Sequence, residues 1–250
     1  MAGNTSRPTT GQVVGELLVT LGVLLLLFAF YEAFWTNLQA GRLQDQAESD
    51  LETTWQNPRT SHSPELGDAF ARLYVPSYGS DWAFAVLEGT SDEILWAGPG
   101  HYPETQLPGE PGNFAVAGHR VGKGAPFNDL GSLRTCDAVV VETATEWITY
   151  RVLPVSPADD PASCFTPEQT RRITAGDYAG IPGRHITTPG DVGVLDPVPG
   201  SGARGVDSGM EAILTLTTCH PQFSNAERMV IHAMEVATEP KADGHRPTAL

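Results

Sequence analysis

The amino-acid sequence predicts a mainly β protein: a closed or nearly closed barrel of seven or eight short strands with a few short helices, preceded by an N-terminal membrane-spanning helix and a helical stalk. Three observations predict it. Between residues 68 and 238, short apolar or alternating runs are separated by turn residues, the pattern of antiparallel strands. Glycine (26) and proline (20) are abundant and only 18% of residues are charged, which favours strands and turns over a helical bundle. One long apolar run stands near the N-terminus.

That run, Val13 to Trp35, is interrupted only by Glu16 and Glu32. It suits a transmembrane helix of about 20 residues, with Phe30, Tyr31, Phe34 and Trp35 as an interfacial aromatic belt. No small-x-small pattern follows it closely, which favours an uncleaved signal anchor over a removed signal peptide. Residues 1–12 then form a short cytoplasmic tail, and the chain after residue 35 lies outside the cell as the C-terminal domain of a single-pass protein of the cell membrane. Within 36–67, Leu38, Leu43, Ala47, Leu51 and Trp55 recur at near-helical steps among polar residues, the signature of a narrow-faced amphipathic stalk. Asn57-Pro58 and Ser61-His62-Ser63-Pro64 break it, and the barrel domain is expected over 68–238.

The expected strands are Ala69–Val75, Trp82–Leu87, Asn113–Ala117, Ala138–Thr143, Trp147–Val155, Ile213–Thr217 and Met229–Val236. A hairpin is expected around Ala144-Thr145, with short helices near Asp92–Trp96 and Phe127–Leu133. Strands of this length and number suit a barrel. The polar tail 239–250 is expected to fray.

Charge excludes a class of partner. With 30 acidic against 15 basic residues, a formal net charge of -15, the chain lacks the electrostatic footprint of a nucleic-acid binder. Only Arg7, Glu16 and Glu32 fall within the first 35 residues, so the acidity belongs to the exported part. No P-loop, HExxH, paired CxxC or EF-hand pattern is present, and no metal or cofactor is called for.

Three cysteines are an odd number, so at least one stays out of any intramolecular disulfide. Cys219 ends the strand-like run Ile213–Thr217, and Arg228 opens the next one after a loop that would set the two opposite each other. Alternation puts Arg228, Val230 and His232 on one face, so His232 could approach the same site. The run Asn113–Ala117 ends in Gly118-His119-Arg120, where the glycine lets the chain turn and present His119. A nucleophilic thiolate wants cationic neighbours. Arginine keeps its proton and donates to a developing oxyanion; histidine can protonate a leaving amine. A bell-shaped dependence of rate on pH follows from such a pair.

At these residues the sequence resembles the sortases. Thr215-Leu216-Thr217-Thr218-Cys219 matches their TLxTC signature, His119 their histidine and Arg228 their arginine. The strings Gly98-Pro99-Gly100-His101-Tyr102-Pro103, Gly112–Arg120, Leu195-Asp196-Pro197-Val198-Pro199 and Cys219-His220-Pro221 look most like class E sortases of actinobacteria. The likeness covers roughly Asp68 to Thr238. It implies an eight-stranded sortase β-barrel and a cysteine transpeptidase that cleaves an LAxTG- or LPxTG-like sorting signal between Thr and Gly. Cys219 holds the Thr as a thioester and passes it to an amine on a cell-wall precursor, with His119 as acid and base and Arg228 as oxyanion clamp. Partners are then surface proteins carrying the signal at their C-terminus. Thr217, Thr218, Tyr102 and Arg120 are the expected substrate-binding residues. The stretch 156–190 is longer than the family usually has there, in a region that walls the substrate.

Cys136 and Cys164 lie outside the signature, and outside the cell a disulfide between them would persist. Hairpin register opposes it, since Cys136 should face a residue near Leu153, so the chain after Val155 would have to fold back. Two other readings fit the same residues: a hydrolase in which water resolves the thioester, and a surface β-domain in which Cys219 is not catalytic.

Overall fold

A single apolar helix, α1 (Thr10–Phe30), opens the described chain, and none of its residues is buried. The structure, a computed structural model, describes residues 9–56, 63–242 and 244–250. The expected tail up to residue 8 and most of the expected break (Asn57-Pro58, Ser61-His62) lie outside these. Thr9 and Gln12 form a capping box at the start of α1, satisfying orphan N–H groups. The helix is long and apolar enough to cross a membrane, with a mean hydropathy of 2.5.

A π-helical turn over Tyr31–Trp35 carries the chain into α2 (Thr36–Gln56). The expected stalk does not stand free. Ala47 and Leu51 of α2 pack with Ala69, Ala85 and Leu87, and Trp55 covers the edge of this cluster. Arg72 reinforces the contact by pairing with Glu48 at 2.6 Å and, across its own sheet, with Glu142 at 3.0 Å. Leu38 is left 55% exposed, so the buried face runs through Ala40 rather than through the five-residue step.

The strands are β1 (Ala69–Tyr74), β2 (Ala83–Glu88), β3 (Gly100–His101), β4 (Gly112–Ala117), β5 (Ala138–Glu142), β6 (Glu146–Val152), β7 (Arg184–Thr187), β8 (Ala212–His220) and β9 (Glu227–Pro240). Eight of them close a ring in the order β6-β5-β1-β2-β3-β4-β8-β9, with β9 returning to β6 and β7 flanking β9 from outside. The long strand β9 makes this possible. One edge pairs with β8, while the other pairs with β7 over Arg228–Ile231 and with β6 over Ala233–Pro240. Closure leaves the ring no free edge. The pairing is mixed rather than antiparallel throughout, because β2–β3 and β4–β8 are parallel; a long crossover joins β4 to β8, as a parallel pair requires.

Alternation sorts the two faces of β8. Leu214 and Leu216 join Phe114, Val116, Ile148, Tyr150 and Ile231 in the barrel interior. Ile213 faces outward, yet with Met234 it is covered by Phe165, Ile173, Tyr178 and Ile181. Those residues come from the 156–190 stretch, which folds as α4 (Pro167–Ala175) with a Thr166/Gln169 capping box and then β7. Burial on both sides leaves every residue of β8 from Ala212 to Thr218 buried, its threonines included.

Further elements differ from expectation in detail. A helix α3 (Asp92–Ala97) lies where expected, but Phe127–Leu133 holds only a 3-10 turn at Leu130–Ser132. Glu239 and Pro240 end β9 instead of beginning a frayed tail, and Lys241 is held by Glu142 and stacks 3.7 Å over the Trp55 ring. Cys136 donates its N–H to the Val152 carbonyl, close to the expected register. The chain then folds back through a 3-10 turn at Pro161–Ser163, and Cys136 and Cys164 are disulfide-bonded with Cα atoms 5.7 Å apart. Cys219 is the free cysteine.

Candidate active site

Register alone brings three side chains into a row. β4 and β8 run parallel with Ala117 beside Thr217, and Gly118 donates its N–H to the Thr217 carbonyl at 3.0 Å. Two residues on, His119 is therefore level with Cys219. In the antiparallel pair on the other side, Cys219 is the direct partner of Arg228. Adjacent strands are about 4.8 Å apart, so one strand end presents imidazole, thiol and guanidinium in sequence across the sheet.

The turn at Gly118 is fixed from both sides. A Cβ there would lie 2.5 Å from the Phe127 ring, so only glycine fits, and Phe127 donates its N–H to the His119 carbonyl. Thr218 gives its hydroxyl to the Gly118 carbonyl at 2.7 Å and is buried. That corrects its expected place: alternation turns Thr218 away from the Cys219 face, and its contact is with the backbone that positions His119. Thr217 does share the Cys219 face, and its hydroxyl is 3.1 Å from the Tyr102 hydroxyl. Arg120 lies behind the row, with Nη1 donating to the Cys219 carbonyl at 3.4 Å and to His220 Nδ1.

The electrostatics of the row are uneven. Burial lowers the His119 imidazole below its ordinary value, the Lys123 ammonium lowers it further, and Asp92 opposes both. His119 Nε2 is buried without a hydrogen-bond partner among the described residues, a state that a substrate group would relieve. Arg228 spends Nη1 on the carbonyl oxygens of Asn225 and Glu227. A guanidinium has five N–H donors, and these two anchors hold the fork beside Cys219 with donors to spare. Such a site can do acyl transfer: a thiol to attack a carbonyl, a donor for the oxyanion, and a proton carrier for the amine.

His232 is not part of it. It pairs with Thr215, two pairs below Cys219 and Arg228 along the same face, about 13 Å away along the strand. Burial pushes its pKa down to about 3, so it stays neutral at physiological pH. Its role is in a buried chain that the sequence did not announce. Thr215 donates to Asn113 Oδ1 at 2.7 Å and therefore accepts from His232 Nδ1, 2.9 Å away. The Asn113 amide in turn donates to the carbonyls of Val194 and Asp196. This chain ties the β7–β8 connection to Asn113 of β4 and, through Thr215, to β8 and β9, below Cys219 along the strand. An asparagine heading an apolar strand was the one sequence signal of it.

The comparisons with known proteins place the chain in a family. A family model described as Sortase domain matches residues 73–236. Sortase SrtE1 of Streptomyces coelicolor is 34% identical over 248 residues, covering 96% of this chain and 60% of that protein. Sortase SrtE2 of the same organism is 30% identical, covering 94% of this chain and 85% of its own length. The chain thus spans less than two thirds of the length of SrtE1. Among solved structures, the SrtF sortase from Corynebacterium diphtheriae is 60% identical with a TM-score of 0.74, over 77% of this chain and 97% of that one. Sortase E from Streptomyces avermitilis is 36% identical with a TM-score of 0.54, over 74% and 98%. The resemblance to class E sortases and the eight-stranded closed barrel are both borne out.

Proposed function

Since the chain belongs to the sortase family, a family of cysteine transpeptidases, we propose that it is a membrane-anchored transpeptidase with Cys219 as nucleophile, His119 as general acid and base, and Arg228 as oxyanion clamp. The observation that carries the assignment is the row set by register: Ala117 beside Thr217 and Cys219 opposite Arg228. The Cys219 thiolate attacks the Thr carbonyl of an LAxTG- or LPxTG-like signal, and the Arg228 donors receive the oxyanion. His119 gives its proton to the departing Gly amine, leaving a thioester. An amine of a cell-wall precursor then attacks, His119 takes its proton, and Cys219 leaves as thiolate. Thr217, Tyr102 and Arg120 line or support the trough in which the signal lies, and α1 anchors the enzyme with its barrel outside the cell.

Incubation of the protein with LAxTG and LPxTG peptides, with and without a glycine-based or diaminopimelate-based amine, tests this. Ligated product that depends on the amine is expected. Cleavage at the same rate with or without amine would make the enzyme a hydrolase; no adduct on Cys219 by mass spectrometry would leave a binding domain.

The pH dependence carries a second expectation. Because burial and then Lys123 hold the His119 imidazole below its ordinary 6.5, the acid limb of the rate profile lies below pH 6.5. Rate rises as pH passes that limb, peaks, and falls on the alkaline side. Lys123→Met removes the second cause, so the acid limb moves upward, toward 6.5. A downward or absent shift in kcat/KM profiles would separate His119 from this limb.

A further inference from the structure

The helix that follows the apolar span passes the catalytic end of the barrel first. α2 begins at Thr36, directly after Tyr31, Phe34 and Trp35, and its first turns touch the loop that carries His119. Asn37 Oδ1 accepts the Gly124 N–H at 3.1 Å, and Ala40, only 3% exposed, lies 3.6 Å from where a Cβ on Gly124 would sit. The last turn of α2 is at the opposite end. There Trp55 lies under Lys241, whose N–H bonds the Thr145 carbonyl in the β5–β6 turn. The helix thus runs the length of the barrel from mouth to foot, about 32 Å for its 21 residues. Because α1 continues the same helix backward through the π-helical turn, it projects beyond the mouth. A bilayer around α1 lies on the catalytic side, about 8 Å along the helix from Trp35 to Ala40.

A second observation points the same way. The loop joining β8 to β9 extends past Cys219 at this end, and Phe223 within it is 88% exposed, with a left-handed φ of 63°. No other large hydrophobic side chain among the described residues is as exposed, those of α1 included. The loop is held at its shoulder by Gln222 donating to Asn128 Oδ1 at 2.8 Å, so the ring is displayed by an ordered segment. Phenylalanine, with tryptophan and leucine, is a residue that membrane-surface segments bury at the boundary of headgroups and acyl chains. Arg120, Lys123 and Arg228 are at the same end, with Asp92, Asp129 and Glu227 near them.

We propose that the mouth of the barrel rests on the membrane surface, with Phe223 inserted among the lipid headgroups, so that Cys219 acts on peptide segments held at the bilayer. The inference rests on the reading of α1 as a membrane anchor. It makes the Pro221–Ala226 loop a lipid-contacting element as well as a strand connection, and it limits substrates to those whose scissile bond can come within roughly one or two helical turns of the surface.

The test uses the full chain carrying Cys219→Ala, with a spin label placed through Phe223→Cys or, as a control at the foot, through Leu66→Cys, which is 74% exposed. Both are reconstituted in vesicles of phosphatidylethanolamine and phosphatidylglycerol. The label at 223 is expected to collide with oxygen in preference to a water-soluble nickel chelate, by several-fold over the label at 66. Protein retained on the vesicles with both labels equally open to nickel would overturn the surface contact and leave the anchor standing. Protein washed off at alkaline pH would overturn the anchor, and the contact with it.

Discussion

Replacing Cys219 with alanine is expected to leave the barrel folded and to take ligation to background. Its side chain is partly exposed on the outer face and lies outside the interior cluster, and the backbone pairing with Arg228 does not depend on the thiol. The melting temperature should therefore change by no more than about 2 °C. Activity should fall by at least about 10⁴-fold, the scale on which loss of a covalent nucleophile is felt. No other thiol can substitute, because Cys136 and Cys164 are bonded to each other. Acid-quenched mass spectrometry should find a peptide thioester on the parent and none on the variant. Ligation surviving within tenfold would remove Cys219 from the chemistry.

How much of this could be seen in the sequence depended on which face each residue buries. Strands dense in buried β-branched and aromatic residues announced themselves: Ala138–Glu142 and Glu146–Val152 bury most of their residues and were legible within two or three positions. The pair Cys219 and Arg228 was legible because a short loop after Cys219 fixes an antiparallel register, and register is a period-two property; His119 was marked by the Gly118 turn and by the resemblance to sortases. The parallel neighbour β4 was legible as a strand but not as the partner of β8, since the crossover between them is far longer than any local signal. β7 alternates between exposed and half-buried residues, so no apolar face marked it. α4 buries only Ile173 and had no periodicity to show, although Thr166-Pro167-Glu168-Gln169 is a helix start by its capping chemistry. Thr218 and His232 were misplaced for related reasons. Alternation assigns a face, while distance along the strand and a partner some hundred residues away, Gly118 for Thr218 and Asn113 for Thr215 beside His232, decide what that face meets.

Arg228→Lys is expected to lower kcat/KM by about 100- to 1000-fold, the usual cost of losing an oxyanion donor, with the loss in kcat rather than in KM. The variant keeps the positive charge, so a charge-only role predicts a small effect. What it loses is the planar fork: Nη1 is committed to the Asn225 and Glu227 carbonyls, and the rigid guanidinium fixes where its remaining donors point. A lysine ammonium at that strand end would turn toward the same two carbonyls and reach the oxyanion from no fixed direction. Because the oxyanion exists only during acyl transfer, its donor is felt in kcat. The rate at which iodoacetamide alkylates Cys219 separates the two roles. Were Arg228 chiefly a partner for the thiolate, alkylation and kcat/KM would fall by the same factor. An oxyanion clamp leaves alkylation within a few-fold of the parent while ligation collapses, and that divergence is the expected result.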